Sequence, residues 1–158
     1  MRKSPELTVG AFILDRRDNL LLVVSHKWFY LYSIPGGHVN YGEKIFDAVV
    51  REAREEVGIE VKPEKVIAIQ EVCNPGQFYK KGRHFIFVDV LCRALSTDVK
   101  ADHQEIQGYV WTELRRSLQL PLEKYTRRLV EHYLSSKPTI HPKFFSDSCR
   151  QGRTSSEV

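Results

Sequence analysis

The 158-residue chain has few of the features that stabilise or localise small proteins by other means. It has three cysteines, Cys73, Cys92 and Cys149. The count is odd, the spacing is wide and no CxxC occurs, so neither a zinc site nor a disulfide framework is expected and a reducing compartment fits best. No apolar run approaches the ~20 residues of a membrane-spanning helix. The start, MRKSPELTVGAFILDRRD, is basic, but its short apolar run ends at Asp15, Arg16 and Arg17, which reads as a strand and not a signal peptide. A cytoplasmic location with no membrane partner is the expectation. The net charge of +4 is mild, and the basic residues are scattered along the chain. That permits an anionic substrate and gives no strong nucleic-acid signal. Internal repeats are absent too. The hydrophobic fraction of 42% and charged fraction of 28% are ordinary, so one globular domain with its own core is expected.

Residues 7–14 (LTVGAFIL) and 20–25 (LLLVVS) read as strands, joined as a hairpin by the polar turn 15–19. Pro35-Gly36-Gly37 breaks the chain after an aromatic-rich segment. An apolar stripe of Ile45, Phe46, Val49, Val50, Ala53 and Val57 then recurs at spacings of three and four, which predicts a helix. Glu43 is expected in its first turn, where negative charge suits the helix dipole, and Gly58 is expected to end it. Residues 66–72, 84–95 and 106–112 read as strands, with the turn-rich basic loop 73–83 between the first two. TELRRSLQL and residues 122–136 read as helices. The segment after Lys137 is polar, Ser-rich and without period, and is expected to be irregular. The expected organisation is one domain over 1–137 and an irregular polar tail over 138–158.

The helix raises a physical question. Glu52, Glu55 and Glu56 fall at i, i+3 and i+4, so their like charges share one face and repel by a few tenths of a kcal/mol per pair. A hard divalent cation reverses that sign, because Mg²⁺ takes carboxylate and phosphate oxygens. A solvated acidic face relieved by Arg51 and Arg54 is the alternative.

The surrounding spacing bears on that choice. Gly37, five residues, Glu43, seven residues and then Arg51-Glu52-Ala53-Arg54-Glu55-Glu56-Val57-Gly58-Ile59 resembles the signature of the Nudix hydrolases at every fixed position. The order of flanking strands resembles the family from Leu7 to about Ser135. The resemblance implies an α/β fold, a Nudix-type α/β/α sandwich with a mixed β-sheet, and a loop–helix–loop that holds Mg²⁺ or Mn²⁺ against a diphosphate. It implies metal binding by the Gly37 carbonyl, Glu52, Glu55 and Glu56, with Glu105 as an additional ligand carried by several relatives. It implies catalytic roles for Glu52 and Glu55, and a brace between Arg51 and Glu43. Glu52 is taken as general base, with Glu105 as competitor. Lys27, Tyr32, His38, Phe78, Tyr79 and Arg83 are candidates for binding phosphate or a base. Trp28 is another aromatic at hand, for which core packing is the plainer reading.

The implied activity is a metal-dependent pyrophosphohydrolase cleaving a nucleoside diphosphate linked to X, where X makes the substrate a nucleoside triphosphate, ADP-ribose or a nucleotide sugar. Pro75, 16 residues past Ile59, resembles the ADP-ribose-cleaving branch, but the acidic residue often found in that loop is absent from NPGQFYKKGR. A catalytically silent module that binds nucleotide or RNA is the alternative; loss of motif carboxylates would mark it, and none is lost. Cleavage of an RNA cap would favour a larger basic surface. A small nucleotide is the expected partner, and a homodimer is left open.

Overall fold

The computed structural model describes residues 3–135 and 141–147. One mixed sheet organises them. Its strands are β1 (Glu6–Leu14), β2 (Asn19–Ser25), β3 (Tyr32–Ser33), β4 (Gly36–His38), β5 (Val61–Cys73), β6 (His84–Ala94), β7 (Ile106–Glu113) and β8 (Lys143–Ser146). The order is β3-β2-β1-β6-β5-β8, with β4 also pairing β1 and β7 also pairing β2. The helices are α1 (Ile45–Val57), the single turn α2 (Leu114–Ser117) and α3 (Lys124–Ser135).

Strand β1 is buried on both faces, which is why it reads as a nearly unbroken apolar run. Alternate side chains point opposite ways. Val9, Ala11 and Ile13 pack with Ala48, Val49, Ala53 and Val57 of α1. Phe12 and Leu14 pack with Leu129 and Val130 of α3 on the other side. The sheet is therefore sandwiched between α1 and α3, as the fold class expected.

Several local expectations are corrected. The β1–β2 hairpin is paired only at its turn, Leu14 with Leu20. Beyond that point β1 runs parallel to β6 and β2 runs antiparallel to β7. Glu43 lies before α1 and not in its first turn, because Lys44 is the extended cap residue and the Glu43 side chain folds back to the Asn40 N–H. Asp47 supplies the acidic first turn. Phe46, expected on the apolar face, is exposed. Only Leu114–Ser117 of the segment TELRRSLQL is helical, and β5 begins at Val61, earlier than its apolar pattern shows. Residues 143–146, expected to be irregular, form β8 alongside β5, with Phe145 packing toward the α3 face. The rest of that tail, apart from 141–142 and Asp147, falls outside the described residues. Cys73 is disulfide-bonded and Cys92 is free and buried, so the expectation of no disulfide fails at Cys73.

The end of α1 couples two parts of the chain. Gly58 takes the left-handed conformation, φ 65°, as a helix-terminating glycine does. The last helical carbonyls are then taken by a distant loop: Lys100 N–H donates to Val57 O and Asp102 N–H to Glu56 O, both at 2.9 Å. This ties the loop carrying Glu105 to the turn carrying Glu56. A side chain at Gly58 would also meet Lys100 Cβ at 2.9 Å. We expect Gly58→Ala to cost about 1–2 kcal/mol from the left-handed backbone alone, seen as a lower urea midpoint; an unchanged midpoint contradicts this view of the helix end.

Candidate active site

Two glycines bring β4 against α1. At Gly36 a Cβ would collide with the Val9 carbonyl, and at Gly37 it would collide with the Glu52 carboxylate. Only the bare backbone fits between β1 and the acidic face of the helix. In that position Gly36 N–H donates to Glu56 Oε2 at 3.1 Å. The turn after β4, through Gly42 at φ 79°, returns the chain to α1 with Glu43 aimed inward.

Arg51 then gathers the site. Its Nε and Nη2 donate to the two oxygens of Glu43 at 2.7 and 3.0 Å. Its Nη1 donates to Glu52 Oε1 at 2.8 Å and Glu55 Oε2 at 3.2 Å. Nη2 also reaches the His38 carbonyl at 2.8 Å. All three guanidinium nitrogens are used, and the loop before the helix is fixed to the helix itself. The bond from Arg51 holds the Glu43 carboxyl down at about 2.

The other carboxylates feel the opposite pressure. Glu52 is buried, and its carboxyl is pushed up chiefly by desolvation, with the charges of Glu55 and Glu105 adding and Arg51 opposing. Glu56 keeps some accessible surface but is closely ringed by protein. Desolvation pushes its carboxyl up to about 8, the charges of Glu52 and Glu105 add, and the Gly36 N–H and Lys27 oppose. Glu105, on the loop tied to the helix end, is paired with Lys27 Nζ at 3.0 Å.

Gly37, Glu43, Arg51, Glu52, Glu55, Glu56 and Glu105 therefore share one neighbourhood. The substrate candidates divide. Lys27, His38 and Phe78 line a cavity of about 140 Å³ that opens beside Gly36 and Gly37. Tyr32 is half-buried against the α3-side core. Tyr79 is exposed, edge-on to His26 and Phe78. Arg83 is held by Glu6, which also pairs with His38. Trp28 joins the cavity wall against Phe78 at 4.8 Å between ring centres. The cavity residues that escaped the sequence reading include Gln70, Asp89 and Glu123. The signal for Asp89 was available, as a lone acid within the apolar strand FIFVDVL.

A family model of the NUDIX domain matches residues 4–133. Nudix hydrolase 8 of Arabidopsis thaliana is 31% identical over 136 residues, covering 81% of this chain and 36% of that protein. The NAD-capped RNA hydrolase NudC of Pseudomonas aeruginosa (strain LESB58) is 30% identical over 138 residues, covering 86% and 46%. The crystal structure of a MutT NUDIX hydrolase from Burkholderia pseudomallei matches with a TM-score of 0.71 and 25% identity, covering 82% of this chain and 98% of that one. The chain belongs to the Nudix hydrolase family. It spans less than half the length of the two curated relatives named.

The network separates two arginines of equal charge. Among the described residues, the Arg54 side chain makes only an exposed pair with Glu60, at 2.5 and 2.9 Å. Lys cannot reproduce the fork by which Arg51 reaches four acceptor groups. We expect Arg51→Lys to lose at least ~10-fold in hydrolysis, about the worth of one charge-assisted hydrogen bond, while Arg54→Lys stays within about twofold. Equal, mild effects in a side-by-side assay contradict a special place for Arg51.

Proposed function

We propose that this chain is a divalent-metal-dependent pyrophosphohydrolase that cleaves a nucleoside diphosphate linked to X, and that residues 1–137 carry the activity. The observation behind this reading is electrostatic. Burial pushes the Glu52 and Glu56 carboxyls up, and neighbouring negative charge adds to it, from Glu55 and Glu105 at Glu52 and from Glu52 and Glu105 at Glu56. Such an arrangement costs stability unless something positive relieves it.

The donor chemistry fits Mg²⁺ or Mn²⁺: carboxylate oxygens and a backbone carbonyl, with no sulfur or imidazole needed. Among the described residues no three acidic, imidazole or thiol groups converge as they stand. Arg51 holds Glu52 and Glu55, and Lys27 holds Glu105. The residues that would hold an ion are Glu52, Glu55, Glu56, the Gly37 carbonyl and Glu105. When bound, it supplies charge neutralisation and Lewis acidity at the diphosphate.

The remaining work falls to side chains. Arg51 orients Glu52 and Glu55 and keeps the Gly36–His38 loop against the helix. Glu52 is the general base, accepting a proton at Oε2, the oxygen that Arg51 leaves untouched. Lys27, freed from Glu105, binds a phosphate oxygen at the cavity mouth. The cavity takes the base of the nucleotide, and its aromatic walls shield it from water. The runner-up, a silent nucleotide-binding module, finds no support in the motif, since every one of its carboxylates is present. The Pseudomonas aeruginosa relative is named for NAD-capped RNA, and X here is proposed no more narrowly than a group joined through a nucleoside diphosphate.

Two measurements check this reading. Activity on a panel of nucleoside triphosphates, ADP-ribose and nucleotide sugars is expected to vanish on exhaustive chelation and return with Mg²⁺ or Mn²⁺; full activity in chelator contradicts it. Glu56→Gln is expected to lower turnover at least ~10²-fold, the scale of a lost catalytic group, without loss of thermal stability, since the Gln oxygen can still accept from the Gly36 N–H and a desolvated carboxyl is replaced by a neutral amide. A Glu56→Gln protein that unfolds assigns that carboxylate to structure instead.

A further inference from the structure

The segment 143–147 is built onto the α3 side of the sheet, and the proposed hydrolysis uses none of it. Strand β8 lies parallel to β5, with Ala68 opposite Lys143 and Glu71 opposite Ser146. Its side chains alternate, so that Phe144 is exposed while Phe145 packs with the α3-side core. Asp147 follows, its N–H donating to the Glu71 carbonyl at 3.1 Å. Ser146 Oγ donates to Glu71 Oε2 at 3.0 Å.

The Asp147 carboxylate reaches the cavity wall by two paths. Its Oδ2 accepts from the Tyr125 hydroxyl at 3.2 Å, and Tyr125 is itself buried and lines the cavity. Its Oδ1 accepts from Arg128 Nη1 at 3.0 Å. Arg128 Nε then donates to Gln70 Oε1 at 2.9 Å, and Gln70 Nε2 donates to Asp89 Oδ2 at 2.7 Å. Gln70 and Asp89 are buried in the same wall.

Arg128 makes this link sensitive. Its guanidinium lies 4.8 Å from the Phe145 ring centre and 5.4 Å from that of Tyr125, so the tail covers it as well as binding it. Its Nη2 is buried and has no hydrogen-bond partner among the described residues. A guanidinium cannot shed its charge, and a buried donor without a partner is costly. With one nitrogen already unpaired, loss of Asp147 leaves the bond to Gln70 alone to hold a largely desolvated cation. Breaking such a pair from one side costs far more than the pair contributes, so the side chain leaves for solvent. Gln70 then loses its donor, and Tyr125 loses the acceptor for its hydroxyl. Burial pushes the Asp89 and Glu123 carboxyls up and the Arg128 charge opposes that push at both, so its departure also alters the charge behind the wall.

We propose that Asp147 is a positioning residue for nucleotide binding: it holds Arg128 and Tyr125, and through them the α3-side wall of the cavity, in the form that takes the ligand. The inference rests on the proposed function in calling that ligand a nucleotide. The carboxylates of α1 stand on the other face of the sheet and share no contact with this network. Asp147 therefore acts on affinity and not on the chemical step, and residues 1–137 still carry the chemistry.

The test is calorimetric binding of adenosine, guanosine, cytidine and uridine 5′-monophosphates without metal, beside kcat and KM on the panel substrate that the wild type turns over fastest. Asp147→Ala is expected to weaken binding of the tightest monophosphate roughly tenfold, the low end of one hydrogen bond to a charged group. KM is expected to rise by a similar factor with kcat within about twofold, the mark of lost binding rather than lost chemistry. Asp147→Asn keeps an acceptor for Arg128 and is expected to fall between, so the test survives an Ala variant that fails to fold. Phe144→Ala removes an exposed ring from the same tail and is expected to leave affinity within about twofold, as surface changes do. The Gln70 side-chain amide signal in NMR is expected to shift in both Asp147 variants and to stay in place in Phe144→Ala. Unchanged affinity in folded Asp147→Ala, a loss confined to kcat, equal effects at Asp147 and Phe144, or a wild type that binds no monophosphate overturns the proposal. Failure of both Asp147 variants to fold assigns the residue to structure and overturns it as well. Binding that depends on Asp147 without metal-dependent hydrolysis sinks the proposed function and leaves this inference standing, whereas hydrolysis with a KM indifferent to Asp147 does the reverse.

Discussion

The Arg51 guanidinium is the contact on which the rest of the site depends. Its three nitrogens reach Glu43 before the helix, Glu52 and Glu55 on the helix, and the His38 carbonyl in the strand between. The two glycines that pass the buried carboxylates have no side chains of their own to pack there. A planar, permanently charged fork supplies the restraint without occupying the Glu52 oxygen on the far side. The same cation offsets part of the repulsion along the helix face, so a carboxylate cluster persists in a protein that otherwise has a modest positive charge.

The fold delivers this arrangement through one strand. Because β1 is covered by α1 on one face and α3 on the other, it fixes both the acidic helix and the aromatic cavity to a common frame. Val9 and Gly10 show the economy of that frame. The Val9 carbonyl abuts Gly36 at the mouth, and Gly10 makes room for Asp89 at the inner end. The two ends of the cavity are thus set by neighbouring residues of one rigid strand, with β4 as the bridge between them.

The sequence disclosed this unevenly, for physical reasons. The α1 stripe, its Gly58 stop and the brace between Arg51 and Glu43 are local or set by fixed spacing, and they were legible. The start of α1 was misread by two residues because the Glu43 side chain is held by Arg51, a contact that helix propensity does not register. The hairpin was overstated because neighbours in sequence are not the main partners in this sheet: β1 spends its length on β6, far along the chain. Strand β8 was missed because a four-residue edge strand with polar flanks has no period to detect. The inner end of the cavity was missed for a different reason. Asp89, Gln70 and Glu123 come from three separate parts of the chain, and only the folded sheet brings them together.

The proposed chemistry stands or falls on whether the carboxylates of α1 and Glu105 form a site for a divalent ion next to the cavity mouth. Paramagnetic broadening of backbone amide signals by sub-stoichiometric Mn²⁺ tests this without reference to any substrate. Gly36, Gly37, Glu52, Glu56 and Glu105 are predicted to broaden first and together, and excess Mg²⁺ is predicted to restore their signals. Broadening that begins elsewhere, or that spreads evenly over the exposed acidic residues, contradicts it.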